Sequence, residues 1–363
     1  MGKSGVFVFC NPMIEDIWEV DDSFLEILVE KGIKLGKAGS NLLNFEEYQT
    51  VGLSLEKQGA KAKYIGRCAG GSGSNIAAGM AKGLAKSGKP SYFLGGIGYD
   101  EQGSFLEKEM QEDYGVHPFL VRKKGFPTST IYTLVTPDTE RTFAVHLGAA
   151  EKVGPDDIPR DALDALVNSE YFVVTGYKVH DSPDTTQKLI ETARKKGVKI
   201  VFDLSCPLHM SKAKEGVLLQ KILEGGVHVL LANEEETEVL YGVEVGSGAQ
   251  PYLNVLCNEY LGFPIDIVAQ KRQDKGAIIA NRHVVIISPA YKVNVVNRDG
   301  AGDGFATGFT LALINKKGIE TAGTWGNYCA SRVIMQDSPR MGFTMEEIRK
   351  GVLEERYKVG LSL

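Results

Sequence analysis

The stretch YFVVTGYKVHDSPDTTQKLIETARKKGVKIVFDLS, residues 171–205, places two short apolar runs on either side of a helical pattern. The runs YFVVTG and KIVFDLS are rich in β-branched and aromatic residues, as are strands that a parallel sheet buries on both faces. The residues between them, Ser182 to Lys196, predict a helix that connects the two strands. This unit predicts an α/β fold in which strands and helices alternate.

The same pattern continues along the chain. Four more apolar runs follow, namely VHVLLAN (227–233), IDIVAQK (265–271), GAIIAN (276–281) and HVVIIS (283–288). Glu234 to Tyr241 has a helical pattern directly after the first of them. The C-terminal half is therefore predicted to be a doubly wound, mainly parallel sheet.

The first half of the chain has a different pattern. Gly5 to Cys10 predicts a buried strand, but Ile14 to Val20 and Thr130 to Leu147 mix polar and apolar positions. Such mixing is typical of antiparallel strands with one solvated face. Within the second segment, Pro137-Asp138-Thr139-Glu140 has the composition of a turn between two strands. We expect a small β-sheet outside the main one.

The overall composition excludes several classes of protein. A chain of 363 residues suggests two domains, or one large α/β domain with an insertion. With 41 Lys and Arg against 46 Asp and Glu, the net charge of −5 provides no basic field for nucleic acid or an anionic membrane. Since no apolar run is long enough to span a bilayer and no secretory signal is recognisable, we expect a cytoplasmic protein. The five cysteines form no Cys-x-x-Cys pair, which predicts reduced core thiols and no zinc site.

The segment NRDGAGD, residues 297–303, precedes a helical pattern with Phe305 and Phe309 on one face. Gly300-Ala301-Gly302 would expose backbone N–H groups at the start of that helix, which favours binding of a phosphate-like anion. Asp303 would repel the same anion unless it acts as a general base that accepts a proton from a substrate hydroxyl. The alternative is an acidic residue that only interacts favourably with its own helix dipole.

Two further segments carry polar groups at predicted strand ends. AGGSGSN, residues 69–75, combines glycines that allow a ligand to approach with Ser72 and Asn75, which suit a polyhydroxylated substrate. Alternatively, this segment is a tight turn with a serine cap. Asn233 and Glu236 follow a strand end, where they suit Mg²⁺ held through water, or Asn233 caps an acidic helix.

Together the segments resemble the ribokinase-like (PfkB) family of sugar kinases, and within it the adenosine kinase branch. The resemblance covers most of the chain and follows the family's order of motifs. It rests on CNPMIED (10–16), AGGSGSN (69–75), GGIGYDEQG (95–103), PTSTIYTLV (127–135), ERTFAVHLGAA (140–150), DLSCP (203–207), Asn233 with Glu236, and GAGD (300–303). It implies a large α/β domain formed by residues 1–10, 53–117 and 149–363, and a small β-sheet lid formed by residues 11–52 and 118–148.

The resemblance also implies transfer of the γ-phosphoryl group of ATP to a primary hydroxyl, with Mg²⁺. By position, Asp303 is then the base, Gly300, Ala301 and Gly302 form the anion hole, and Arg141 on the lid contacts a phosphate. The implied substrate-binding residues are Asn11, Asp16, Gly70, Gly71, Ser72 and Asn75. The implied nucleotide-binding residues are Asn233, Asn297, Lys271, Gly276 and Asn327, and Asn233 and Glu236 are the implied water-mediated Mg²⁺ ligands.

Three departures from the family pattern affect these expectations. Asn297-Arg298 replaces the family's Asp-Thr before the glycines, and QKRQDKG (270–276) replaces its nucleotide loop. The basic residues of that segment either contact the triphosphate or form a solvated loop. One additional residue before Asp16 leaves Glu15 or Asp16 as the substrate carboxylate.

The sequence therefore predicts an ATP-dependent kinase that acts on a nucleoside, most simply at the 5′-hydroxyl of adenosine. A sugar kinase of the same family, acting on ribose or a ketose, is the first alternative. The second is a family member that binds a ligand without turnover, although Asp303 and the glycines argue against it. The expected partners are the nucleoside or sugar and ATP, in a monomer or homodimer without nucleic acid or membrane.

Overall fold

The computed structural model describes residues 2–37, 39–57, 61–138, 140–205, 217–242, 250–260, 262–336 and 339–355. Its strands form two sheets, one of nine strands and one of five. The strands are β1 (Val6–Phe9), β2 (Met13–Val20), β3 (Ser40–Leu42), β4 (Ala62–Gly70), β5 (Ser91–Ile97), β6 (His117–Arg122), β7 (Thr130–Val135), β8 (Arg141–His146), β9 (Tyr171–Thr175), β10 (Lys199–Asp203), β11 (Val227–Asn233), β12 (Ile265–Lys271), β13 (Ala277–Ala280) and β14 (Val285–Ser288).

Helices connect most of these strands. They are α1 (Asp22–Glu30), α2 (Phe45–Lys57), α3 (Ser72–Leu84), α4 (Glu101–Lys108), α5 (Arg160–Asn168), α6 (Tyr177–Asp181), α7 (Pro183–Lys195), α8 (Val217–Glu224), α9 (Glu234–Tyr241), α10 (Gln250–Val255), α11 (Ala301–Ile314), α12 (Ile319–Val333) and α13 (Met345–Glu355). No helix in the described ranges is long and apolar enough to cross a membrane.

The large sheet has the strand order β14-β13-β12-β11-β10-β9-β1-β5-β6. Its strands are parallel from β12 to β6, and only β13 and β14 run antiparallel to their neighbours. At its centre Val8 is in register with Phe93 on one side and Val173 on the other, and all three side chains are buried. Burial on both faces explains why these strands are apolar throughout.

One apolar cluster lies on each face of the large sheet. The helices α3, α11 and α12 cover one face, and α5, α7 and α8 cover the other. Helices α11 and α12 pack closely at Gly308, where a Cβ atom would lie 2.4 Å from the backbone oxygen of Trp325. Close packing of this kind fixes the position of α11, and thereby of Asp303 in its first turn.

The small sheet has the order β3-β8-β7-β2-β4. Strands β7 and β8 form an antiparallel hairpin, and β2 pairs parallel with β7 and antiparallel with β4. On one side, α1 and α2 bury Phe24, Leu28, Val51 and Leu55 against the sheet. Glu15, on β2, faces a cavity instead.

The structure confirms the predicted fold class and the strands after residue 170, but two strands differ from the expected domain boundaries. Residues 62–70 form β4 of the small sheet, although the sequence placed 53–117 in the large domain. Conversely, 117–122 form β6, which pairs with β5 in the large sheet. Cys10 and Cys329 are buried as expected, whereas Cys257 is exposed. Cys206 lies outside the described residues.

Candidate active site

A cavity of about 560 Å³ lies between the small sheet and the carboxyl ends of the large sheet's strands. Asp203, Asn233 and Lys271 end three adjacent parallel strands, so their side chains meet at one edge of the sheet. The first turns of α3 and α11 complete one wall of the cavity, and Glu15, Ile131, Phe143 and Val145 of the small sheet contribute the other.

Asp303 lies in the first turn of α11, beside the three residues of the predicted anion hole. Its carboxylate accepts hydrogen bonds from Ser72 Oγ at 2.6 Å and from Asn75 Nδ2 at 2.8 Å. Burial raises the pKa of Asp303 to about 6, although these two hydrogen bonds act in the opposite direction. A carboxylate with this pKa is ionised near neutral pH and can still accept a proton, as a general base must.

The glycine loop before Asp303 has a backbone that requires glycine. Gly300 has φ +75°, and a Cβ atom there would lie 2.4 Å from the backbone oxygen of Pro339. Gly300, Ala301 and Gly302 line the cavity, and the first N–H groups of a helix have no partner within the helix itself. The N–H of Ala301 donates over a long distance, 3.4 Å, to the backbone oxygen of Arg298. The loop therefore lies at the cavity, and its role as an anion hole stays a prediction.

The second glycine loop lies beside the first, between β4 and α3. Gly71 has φ +87°, and a Cβ atom there would lie 2.4 Å from the backbone oxygen of Asn11. Gly71 and Ser72 line both the main cavity and a smaller hollow of about 110 Å³ beside it. Ser72 and Asn75, which the sequence assigned to substrate, donate to Asp303 in the structure. A Cβ atom on Gly70 would contact Glu15.

The structure distinguishes the two acidic residues that the sequence left as alternatives. Asp16 forms a two-pronged ion pair with Arg67, at 2.7 and 2.8 Å, and does not line the described cavity. Adjacent residues of a strand point to opposite faces, so Glu15 faces the cavity. Glu15 Oε1 accepts from Thr133 Oγ1 at 2.7 Å, and burial raises the pKa of Glu15. The placement of Asp16 therefore corrects the expectation that it meets the substrate.

Asn11 lies at the smaller hollow, where a buried lysine that the sequence analysis missed fixes its orientation. Lys178 Nζ donates to Asn11 Oδ1 at 2.8 Å, and Asn11 Nδ2 donates to Asp181 Oδ2 at 2.6 Å. Burial lowers the pKa of Lys178 to about 8. In the sequence, YKVHD follows a strand and carries no recognisable motif, so only the fold brings Lys178 to Asn11.

Arg141 begins β8 of the small sheet and reaches across to the glycine loop. Its guanidinium donates to Asp299 Oδ2 at 3.0 Å, one residue before Gly300. This ion pair connects the small sheet to the glycine loop, and Asp299 itself lines the cavity. No role for Asp299 was predicted from the sequence.

The predicted nucleotide residues have different surroundings. Lys271, Gly276 and Asn327 line the cavity, and Asn327 Nδ2 donates to the backbone oxygens of Ser288 and Pro289. Asn297 is buried beneath the glycine loop, where its Oδ1 accepts from the backbone N–H of Asp299 at 2.9 Å. Asn297 therefore supports the loop.

Asn233 and Glu236 form a capping box at the start of α9. Glu236 accepts from the N–H and Nδ2 of Asn233, and Asn233 Oδ1 accepts from the N–H of Glu236. The capping alternative is thus present, yet both side chains also line the cavity. Burial raises the pKa of Glu236 to about 7, and the charge of Asp203 adds to this effect. Within the described ranges, no three acidic, His or Cys side chains are close enough to ligate a metal directly.

Comparison with known proteins identifies the family. A family model described as pfkB family carbohydrate kinase matches residues 41–342, which is more than half of the chain. The chain belongs to the pfkB family of carbohydrate kinases. It is accordingly a phosphotransferase with an alcohol group as acceptor, of the kind that acts on sugars or nucleosides, and the family uses ATP as co-substrate.

Relatives include both sugar and nucleoside kinases. The 5-dehydro-2-deoxygluconokinase of Bacillus subtilis is 27% identical over 327 residues, which cover 88% of this chain and 94% of that protein. A probable sugar kinase from Rhizobium etli superposes with a TM-score of 0.81 at 23% identity, covering 97% of this chain and 100% of the other. The adenosine kinase from Sinorhizobium meliloti gives 0.80 at 24% identity, with 96% and 99% coverage. At these identities the two solved structures show the fold alone.

Proposed function

We propose that this protein is an ATP-dependent sugar kinase in which Asp303 is the general base. The observation that carries the proposal is the buried carboxylate of Asp303, held by Ser72 and Asn75 beside the 300–302 glycine loop at the start of α11. A sugar is favoured over adenosine because the curated relative at 27% identity is named for a sugar derivative. This reverses the order of the two readings expected from the sequence.

In the proposed reaction, the acceptor hydroxyl lies between Asp303 and the γ-phosphorus of ATP. Asp303 accepts the hydroxyl proton as the new O–P bond forms and the bond to the leaving oxygen of ADP breaks. The N–H groups of Gly300, Ala301 and Gly302 stabilise the negative charge on the transferring phosphoryl group. Glu15, which faces the cavity with one oxygen bound to Thr133, accepts hydrogen bonds from acceptor hydroxyls.

The cavity residues also fit hydrated Mg²⁺. Asp203, Glu236 and Asp303 bring three carboxylates to the cavity, and Lys271 is paired with one of them. This excess of negative charge suits a hard cation that keeps part of its water shell, with Glu236 and Asn233 as water-mediated ligands. When bound, Mg²⁺ would neutralise charge on the phosphate oxygens.

A nucleoside is the second candidate acceptor, and one observation favours it. The smaller hollow next to Gly71 has apolar side chains on its lining, which would pack against a base better than against a free sugar. These are Met13, Leu42, Ile131, Val145 and Leu147.

The proposal is tested by measuring ADP release with Mg·ATP and a panel of acceptors. The panel contains 5-dehydro-2-deoxygluconate, ribose, fructose, adenosine and other nucleosides. We expect turnover with a sugar, and turnover with adenosine alone would favour the second candidate. Binding without turnover for every acceptor, detected by thermal shift, would contradict both and support a non-catalytic family member.

The Asp303→Asn variant tests the base directly. We expect kcat to fall by about 10²- to 10⁴-fold, the range for loss of a general base, while Mg·AMP-PNP binding changes little. Calorimetry and circular dichroism check binding and fold. A variant with near wild-type kcat would exclude Asp303 as the base.

A further inference from the structure

Lys271 is a buried basic residue at the carboxyl end of β12. Its side chain is 15% exposed, and Nζ donates to both carboxylate oxygens of Asp203, at 2.9 and 3.2 Å. Asp203 ends β10. Because β11 lies between β10 and β12 in the sheet, the ion pair crosses the end of β11. With Asp203 only 3% exposed, the pair holds the ammonium group at a fixed position in the cavity.

The ammonium group of Lys271 faces the anion-binding loop. A Cβ atom placed on Gly302 would lie 3.6 Å from Lys271 Nζ. Asp303, the next residue, is among the negative charges that act on this lysine. Lys271 therefore lies against the backbone that receives the transferring phosphoryl group in the proposed reaction.

Lys271 differs from the other basic residues of the 270–276 segment. Arg272 is turned away into a buried ion pair with Glu234, Nε to Oε1 at 3.2 Å, and does not line the described cavity. Lys275 lies in the short turn of residues 273–275 and does not line it either. Of the basic residues in this segment, only Lys271 thus lines the described cavity.

The ammonium group is charged and has hydrogen-bonding capacity left. Burial alone would lower the pKa of Lys271, but the carboxylates of Asp203 and Glu236 act against this and raise it above its ordinary value. An ammonium group has three N–H donors, and Asp203 accepts two of them. Among the described residues Nζ has no other acceptor, which leaves one donor for a phosphate oxygen.

We propose that Lys271 is a further catalytic residue, which donates its third N–H to an oxygen of the transferring phosphoryl group beside Gly302. Asp203 is the positioning residue that holds the ammonium group there. This proposal rests on the proposed kinase function. As the acceptor oxygen bonds to the γ-phosphorus and the bond to ADP breaks, the acceptor proton goes to Asp303, and Lys271 keeps its own proton throughout.

The test compares ligands with and without the γ-phosphoryl group. Titration calorimetry with Mg·AMP-PNP and Mg·ADP is carried out on the wild type and on Lys271→Met, which keeps the side-chain length but removes the charge. We expect AMP-PNP affinity to fall about tenfold and ADP affinity to fall less than about threefold, as for one charge-assisted hydrogen bond. In turnover with the acceptor found above, kcat should fall about 10²-fold, and Lys271→Arg should recover part of it.

A second variant separates this role from simple neutralisation of Asp203. Lys271→Met leaves Asp203 buried without its cation, whereas Lys271→Met combined with Asp203→Asn removes that charge as well. We expect the double variant to regain thermal stability but neither AMP-PNP affinity nor kcat. Recovery of all three would overturn the proposal and show a structural role.

The control for the loss of one positive charge is Lys317→Met, on the exposed turn after α11, which should bind both nucleotides as the wild type does. If the wild type binds neither nucleotide, the kinase function and the role of Lys271 both fail. If it binds both and Lys271→Met alters neither affinity nor kcat, only the role of Lys271 is contradicted.

Discussion

The chemistry of Asp303 depends on its two hydrogen-bond donors. Its pKa of about 6 is the result of burial, which raises it, and of Ser72 and Asn75, which favour the ionised form. A general base must be ionised, so kcat/KM is expected to fall about tenfold per pH unit below about pH 6. With Asp303 as the proposed base, the lower end of the working pH range is expected to depend on Asp303, Ser72 and Asn75.

Ser72→Ala should move this acid limb to higher pH. Removal of the hydroxyl takes away a donor to the ionised carboxylate, and the pKa of Asp303 then rises further. The measurement is the pH profile of kcat/KM for ADP release. Ser74→Ala is the matched control, because Ser74 is buried in the same helix and its hydroxyl has no partner within the described residues. If the acid limb of the pH profile moves equally in both variants, or in neither, Ser72 does not control the pKa of Asp303 as proposed.

Substitutions of Glu15 and Asp16 test which of these two acidic residues binds the acceptor. Glu15→Gln should lower kcat/KM for the acceptor by about tenfold or more, because a neutral amide binds hydroxyl donors less strongly than a carboxylate. Asp16→Asn should change kcat/KM less than about threefold and lower thermal stability, because Asp16 is paired with Arg67. Kinetics and thermal melts of both variants check this. The opposite result would place Asp16 at the substrate.

The sequence alone could not choose between these two residues. In a strand, neighbouring positions face opposite sides, and both carboxylates are almost fully buried, one toward the cavity and one against Arg67. Which of the two residues faces the cavity depends on the pairing of β2 with β4 and β7. The residue pattern of β2 alone does not specify this pairing. By contrast, the place of Asp303 at the start of a helix was predictable, because glycines followed by a helical pattern are a local feature.

At the scale of elements, the small sheet is connected to the glycine loop by the Arg141–Asp299 ion pair. Breaking this pair with Arg141→Ala should loosen β7 and β8 in the ligand-free protein, so their amide hydrogens should exchange faster. Hydrogen exchange with mass spectrometry measures this. Lys63→Ala, which breaks the exposed Lys63–Glu19 pair within the small sheet, is the control and should leave β7 and β8 unchanged.

Hydrogen exchange in the presence of ligands tests whether the small sheet closes over the cavity. Saturation with Mg·AMP-PNP and the acceptor should slow exchange in β2, β7 and β8, because the small sheet is expected to close over the cavity and exclude water. Equal exchange in these strands with and without ligands would contradict a lid. Arg141→Ala is expected to reduce the protection that ligands give.

A strand was predicted correctly where its own residues identify it, and was misplaced where its assignment depends on pairing with distant residues. The centre of KIVFDLS, Ile200 to Phe202, is an uninterrupted apolar run, so burial on both faces identifies β10 without knowledge of its partners. Residues 62–70, AKYIGRCAG, mix exposed and buried positions, and only their pairing with β2 assigns them to the small sheet. Domain boundaries depend on such pairings, which is why β4 and β6 fell on the wrong sides of the expected divisions.

At the scale of the whole molecule, the cavity is the place where negative charge accumulates. The protein carries a net charge of −5, and the acidic residues that line the cavity are Glu15, Asp203, Glu234, Glu235, Glu236, Asp299 and Asp303. Lys271 and Arg298 are the basic residues among the described lining. A triphosphate entering this cavity therefore requires further positive charge, which the proposed Mg²⁺ would supply.

Removal of Mg²⁺ should therefore abolish most of the stabilisation by nucleotide. A ligand at about 100 times its Kd adds about 2.7 kcal/mol to the free energy of unfolding, which corresponds to a rise in Tm of several degrees. We expect this rise with Mg·AMP-PNP and little or none with AMP-PNP in EDTA, because the cavity carboxylates then face the bare triphosphate. Differential scanning fluorimetry measures both, with Mg²⁺ alone as the control. Glu236→Gln should shift the Mg²⁺ dependence to higher concentration, since it removes one of the carboxylates, whereas an equal rise in EDTA would contradict a metal-dependent site.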